Sequence, residues 1–325
     1  IQTRCRKKSR IIIVAETGES MTSIEQQNCG YVTLLGVPNA GKSTLLNQLV
    51  GQKLSIVSAK PQTTRARMVG IVMEGDAQII FVDTPGIFTP KKPIEKAMVG
   101  AAWAGGEDAD IILLMVDVTH RQPDSGTQEI LAHIKRSYAE KPVWLVMNKV
   151  DAATNKARLL PIVEALHKEH DFAQTFMISA LSGEGVKDII EKLAGAMPKG
   201  PWLYDPEQIT DMSERLMAAE ITREQLFLQL SQELPYSATV ETDAWEQFDN
   251  GEAKVTQTIF VERDGQKAIV IGKGGEQLKA IGAAARTEMA NAFGFKVHLF
   301  LHIKVKEDWQ QHKEFYESRG LTKVD

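Results

Sequence analysis

The stretch GVPNAGKST, residues 36–44, follows the apolar run that starts at Tyr31 and leads into an amphipathic pattern from Lys42 to Val50. A strand passing through a glycine-rich turn into a helix is the setting in which backbone N–H groups wrap an anion at a helix N-terminus. Gly36, Pro38, Asn39, Ala40, Gly41, Lys42, Ser43 and Thr44 are read as a phosphate-binding loop. Lys42 would reach the outer phosphates, and the Ser43 hydroxyl would ligate Mg²⁺.

Further along, DTPGIF at residues 83–88 closes a second apolar run, Gln78 to Val82. Asp83 would hold the metal through water, and the Gly86 amide would sense a γ-phosphate. The position after that glycine, often a water-orienting glutamine in such hydrolases, is Ile87. Between the two motifs lies PQTTRAR, where Thr63 or Thr64 would supply a threonine to Mg²⁺ when the triphosphate is bound. Such a segment, ordered by γ-phosphate and metal and released on hydrolysis, is a switch.

NKVD, residues 148–151, ends another apolar strand. A carboxylate at Asp151 accepts from guanine N1–H and the N2 amine, a donor pair that adenine lacks, so a mismatch leaves an unpaired acceptor. Asn148 would brace neighbouring loops, and the Lys149 stem would cover the base. Alone, such a tetrapeptide also suits a solvated turn. Joined to the phosphate loop and to Ser179-Ala180-Leu181, whose Ala180 amide would face guanine O6, it indicates GTP, with GDP as product.

From Tyr31 to Pro198, fully apolar strands alternate with helical patterns at Lys42–Val50, Ser125–Tyr138, Asn155–His170 and Val186–Ala196. That predicts an α/β domain with a mostly parallel sheet and helices on both faces. An extra strand, Met68–Met73, meets the next one through so short a turn that the pair should be antiparallel. The expected limits are a basic leader at 1–28, a nucleotide domain at 29–198, a Pro/Gly-rich linker at 199–210 and a second domain at 211–325. Met21 is read as the start of the native protein, with the residues before it an extension.

The second domain changes pattern: helix, two strands, helix, strand, an α+β module. Gly272-Lys273-Gly274-Gly275 stands before its second helix. Glycines there let a nucleic-acid backbone approach the main chain, with Lys273 and Lys279 favouring phosphate, which is the clamp of a K homology (KH) module of type II. Acids dominate from Asp205 to Glu252, opposed only by Arg215 and Arg223. Lysine and arginine dominate from Lys254 to Lys306, as a basic RNA-facing side would require. His298 and His302 share a strand face without a third ligand, so they are read as packing or RNA contacts rather than metal ligands.

The 325 residues carry a formal net charge of −4 and two cysteines, Cys5 and Cys29. The charge argues against a wholly basic nucleic-acid coat, the cysteines are too few and badly placed for a disulfide scaffold, and no apolar run reaches transmembrane length. A metabolic phosphotransferase lacks an evident acceptor lid, and a membrane-acting or cell-cycle regulatory GTPase lacks an anchor.

GVPNAGKST, PQTTR, DTPG, NKVD, SAL, ELPYSATVE and VIGKGG together make the chain, from about Cys29 to Leu321, resemble the Era family of bacterial GTPases. The resemblance implies GTP hydrolysis, slow without stimulation, and Thr64 as the threonine ligand of Mg²⁺. It implies a monomer that binds the 3′-end region of 16S rRNA and serves assembly of the 30S ribosomal subunit. Cytoplasmic location with peripheral inner-membrane association is likewise implied. Related GTPases with a hydrophobic residue at the place of Ile87 suggest that Asn39 ligates K⁺, whose charge would aid the transition state.

Overall fold

The computed structural model describes residues 27–322 apart from 62, 121, 154–156, 158 and 318. The basic leader with Cys5 and Met21, and the expected helix start at Asn155, lie outside the described residues. Strands β1 (Asn28–Leu35), β2 (Met68–Glu74), β3 (Ala77–Asp83), β4 (Ile111–Asp117), β5 (Val143–Asn148) and β6 (Gln174–Ile178) form one sheet in the order β2-β3-β1-β4-β5-β6. β2 runs antiparallel to β3, and the other pairings are parallel. Because β1, β3 and β4 are buried on both faces, they read as continuous apolar runs.

Helices α1 (Lys42–Val50), α2 (Pro93–Asp108), α3 (Ser125–Ser137), α4 (Leu159–Glu169) and α5 (Val186–Ala196) alternate with these strands. Two apolar cores flank the sheet, one around Leu34, Leu45, Phe81 and Leu193, the other around Leu35, Leu114, Ile130 and Leu145. Helix α2 was not anticipated. Its sequence is rich in alanine and glycine, so it lacks the polar/apolar contrast that marks the other helices, and a proline at its first position starts it.

The segment expected to be a linker is tied to the sheet. Cys29 N–H donates to the Pro198 carbonyl, Gln78 bonds the backbone of Leu203 and Tyr204, and Ile71 N–H donates to the Ile209 carbonyl. The Thr210 hydroxyl donates to the Val69 carbonyl. Residues 199–210 thereby cover the outer edge of β2, which would otherwise present unpaired backbone groups.

The second module contains α6 (Glu214–Gln229), β7 (Ala238–Gln247), β8 (Ala253–Val261), α7 (Asp264–Ile271), α8 (Glu276–Phe293), β9 (Val297–Val305) and a short α9 (Lys313–Glu317). The three strands order as β7-β8-β9, antiparallel then parallel. The apolar stretch before the glycines, to which no element was assigned from sequence, is helix α7: its Val270 faces the core while Ile269 stands 60% exposed. Alternate residues of β8, Val255, Ile259 and Val261 among them, pack under α6 and α8.

Candidate nucleotide site and RNA clamp

Parallel pairing places the ends of β1, β3, β5 and β6 along one sheet edge, where α/β folds bind ligands. The loops that leave these strands carry the phosphate-loop, DTPG, NKVD and SAL residues. A cavity of about 360 Å³ lies there, bounded by the phosphate loop, Ile56–Ala59, Thr63, Thr64, Gly86 and Lys149.

Gly41 caps α1 with φ of 97°, and a Cβ on it would stand 2.1 Å from the Asn148 amide nitrogen. Asn148 itself joins the loops: its amide donates to the Ala40 carbonyl (2.9 Å), and its oxygen accepts from the Ala180 N–H (2.9 Å). The Ala180 amide, expected to face guanine O6, thus has Asn148 as its partner here. Lys149 adopts a left-handed φ of 69°, and its ammonium pairs with Asp117 at 2.5 Å, so its stem is held over the cavity. Asp151, expected to read the base, is exposed. Ser179 is buried at the end of β6, and its hydroxyl accepts from the Ser182 N–H.

Lys42 is buried and donates to the carbonyls of Gly36 (3.0 Å) and Val37 (2.9 Å). Burial lowers its pKa to about 8, against the opposing pull of Asp83. A buried ammonium held mainly by loop carbonyls is a cation prepared for an anion.

Ser43 Oγ lies 2.7 Å from both Thr64 Oγ1 and Asp83 Oδ2. The other carboxylate oxygen of Asp83 is buried without a hydrogen-bond partner, and burial raises the pKa of this group. Two hydroxyls and a carboxylate with an unused oxygen form a hard-oxygen set that suits Mg²⁺ and its waters. Between the two candidate threonines, Thr64 joins this set; Thr63 instead bonds Ser58 and the Lys60 carbonyl.

Ser55 was missed by sequence reasoning. Its hydroxyl donates to Asp83 at 2.9 Å, and Asn47 of α1 pins its backbone through three hydrogen bonds shared with Leu54. Neither residue belongs to a contiguous motif.

Gly86 passes so close to Pro38 that a Cβ would approach the proline backbone to 2.7 Å, and Ile87 N–H donates to the Gly36 carbonyl. The DTPG corner is therefore stitched to the phosphate loop. Ile87 is buried among Leu35, Ala102 and Leu114, so this position serves the core and presents nothing to a water.

In the second module, Gly272, Gly274 and Gly275 all have left-handed φ (74°, 62° and 82°). Lys273, Gly274 and Lys279 are exposed, and α8 begins without a side-chain cap, leaving its first N–H groups outward. Ile269 adds an exposed apolar side chain on α7. On the basic half of the module, Lys254 and Lys296 pair with Glu246 and Glu252, so part of that charge is compensated. His298 bonds Glu252 at 2.7 Å, and no group of three or more His, Cys, Asp or Glu able to hold a metal occurs among the described residues. Arg223, grouped by sequence with the acidic surface, is fully buried.

Two family models match: "50S ribosome-binding GTPase" over residues 31–149 and "KH domain" over residues 233–310. The chain is 50% identical over 306 residues to a GTPase Era of Mesorhizobium japonicum, covering 93% of this chain and 97% of that one. It is 49% identical over 293 residues to a GTPase Era of Afipia carboxidovorans, covering 90% and 94%. A crystal structure of Era in complex with MgGDPNP and nucleotides 1506–1542 of 16S ribosomal RNA superposes with a TM-score of 0.84 at 38% identity, covering 90% of this chain and 99% of that one. With a P-loop GTPase domain, a KH domain and near full-length relatives in agreement, the chain belongs to the Era family of GTPases.

Proposed function

We propose that this GTPase is a GTP-driven switch that binds the 3′-end region of 16S rRNA and serves assembly and maturation of the 30S ribosomal subunit. The observation that carries the reading is that the segment containing Thr64 packs directly on the module bearing the GKGG clamp. Nucleotide state and RNA binding therefore share one interface. The 16S segment held by the solved relative supports the small subunit. The "50S" in the broader model's description attaches only to the nucleotide half of the chain.

In this reading residues 29–198 are the nucleotide domain and 211–325 the RNA-binding domain, working as a cytoplasmic monomer. Gly36 to Thr44 and Gly86 hold the phosphates of GTP or GDP, and Asp151 selects guanine, with Asn148, Lys149, Ser179 and Ala180 shaping its pocket. Ser43, Thr64 and Asp83 hold Mg²⁺, which when bound neutralises charge on the phosphates. Lys42 gives up its loop carbonyls for phosphate oxygens. Asn39, whose amide donates to the Ala59 carbonyl at 3.0 Å, is the proposed K⁺ ligand. With Ile87 in the core, no side chain there orients water, and unstimulated hydrolysis is slow.

A Lys273→Asp/Gly274→Asp double variant tests the RNA half. Acidic side chains at the clamp face phosphate, so affinity for a 16S 3′-end oligonucleotide should fall at least ten-fold in filter binding while GTP turnover without RNA stays at the wild-type rate. Undiminished RNA affinity would place RNA elsewhere on the protein.

A further inference from the structure

The described residues of 53–65 form no helix or strand, yet Leu54–Ile56 and Thr63–Arg65 are buried. One side of this segment faces the nucleotide domain through Asn39, Asn47, Ser43 and Asp83. The other side is held by the RNA-binding module. The Glu224 carboxylate on α6 accepts from the Val57 N–H (2.9 Å) and from Lys53 (2.6 Å), and Glu288 on α8 takes Lys53 as well (2.9 Å). Lys60 reaches the Phe227 and Leu230 carbonyls at the end of α6.

Thr64 is bracketed. Its predecessor's carbonyl, that of Thr63, accepts from the Arg223 guanidinium at 2.6 Å. Its successor, Arg65, donates to the carbonyls of Pro235, Tyr236 and Ala238 at 3.3, 2.8 and 3.0 Å. With both neighbours anchored to the second module, the Thr64 hydroxyl is left facing Ser43. The geometry points to Arg223 and Glu224 as positioning residues of the GTP site: the RNA-binding module is a structural part of the magnesium and γ-phosphate centre, acting through Thr64. This rests on the GTP and Mg²⁺ reading of that site.

Two further features fit. Trp309, Phe315, Tyr316 and Leu321 pack on Ile94, Ala97 and Met98 of α2, the helix that follows DTPG, so the second γ-phosphate-responsive element is also held. Arg65 and Arg223 are buried where the two modules meet, and Arg223 pairs with the buried Glu220 carboxylate. Burial and the proximity of Arg223 push the Arg65 guanidinium below its ordinary range. Taking charged groups out of water opposes docking, as a reversible switch requires. By linkage, whatever fixes Thr64 also favours the docked module.

Because Thr64 serves only the triphosphate state, the test is the ratio of affinities for Mg·GDPNP and Mg·GDP. Glu224→Ala and Arg223→Ala should lower that ratio at least ten-fold, to the level of Thr64→Ala, with GDP affinity within two-fold of wild type. Combining either with Thr64→Ala should cause no further loss. Lys60→Ala, a half-buried change that leaves Arg223, Glu220 and Glu224 intact, should lower the ratio in the same direction and serves if Arg223→Ala fails to fold. An unchanged ratio in folded Glu224→Ala and Lys60→Ala, or losses that add to that of Thr64→Ala, would overturn the inference. A wild-type protein that does not prefer Mg·GDPNP when Thr64 is intact would instead overturn the reading of the metal site.

Discussion

Asp151→Asn is expected to turn the protein from GTP to XTP. In the proposed guanine site the Asp151 carboxylate accepts two hydrogen bonds, from N1–H and the N2 amine. Asparagine keeps one acceptor and sets an amide N–H₂ against that amine, so a bond is replaced by a donor–donor clash. Bonds to a charged acceptor contribute about 1.5–3 kcal/mol each, and a site left unpaired forfeits more than the bond. Losing one bond, weakening the other by removing the charge and adding a clash give about 3–5 kcal/mol, or roughly 10²- to 10⁴-fold in affinity. Xanthine carries a carbonyl where guanine carries the amine, which the asparagine amide can serve. Affinity for XTP should rise while that for GTP falls. Asp151 is exposed, so the fold should be unaffected. Fluorescent-nucleotide competition measures both arms, and a variant that loses GTP without gaining XTP would show that Asp151 does not read the base.

The second large effect concerns Lys42. Its buried ammonium is satisfied by two loop carbonyls, and burial lowers its pKa to about 8. That arrangement contributes little to the fold, because the desolvated charge offsets the bonds it makes. Lys42→Ala should leave the nucleotide-free Tm within a few degrees of wild type. In the proposed site the same ammonium would meet the oxygens of a bound triphosphate in a desolvated setting, and removing it should cost about 3–5 kcal/mol. Saturating ligand at 100 times Kd stabilises a protein by about 2.7 kcal/mol, so the thermal shift produced by Mg·GTP in wild type should be abolished in the variant at the same concentration. GTP hydrolysis should fall below detection. A normal Mg·GTP shift in Lys42→Ala would contradict the assignment.

Much of the nucleotide half was legible because its chemistry sits in contiguous motifs at strand ends. Gly41 and Lys42 each fill a requirement visible within nine residues, and apolar strands separated by helices leave few topologies. The residues that complete the site were not legible. Ser55 meets Asp83 across 28 positions, and Arg223 meets Thr63 across 160, with no local pattern to mark either partner. Arg223 was hidden by its charge: arginine on a charged helix reads as solvated until the buried partners Glu220 and Thr63 are seen. The expected linker misled for a related reason. Proline and glycine report local backbone preference, whereas the hydrogen bonds of Ile209 and Thr210 to β2 are tertiary. Helix α7 shows the same override, since Ile269, Val270 and Ile271 favour strands by propensity and are helical beside the clamp.

Ile87 takes its meaning from the core of the nucleotide domain. With that side chain committed to the core, the proposed γ-phosphate sensor at DTPG would act through its backbone, without a water-positioning side chain of its own. In the proposed reading such a site would favour a long-lived triphosphate state, as a switch holding RNA for the duration of a step requires.

The most direct test of the central claim is the affinity of the full chain for a 16S 3′-end RNA, measured by filter binding at fixed salt with the protein loaded with Mg·GDPNP or with Mg·GDP. Docking of residues 53–65 on α6 predicts at least ten-fold tighter RNA binding in the Mg·GDPNP state, and loss of that difference in Thr64→Ala. Equal affinities in the two nucleotide states would contradict the account.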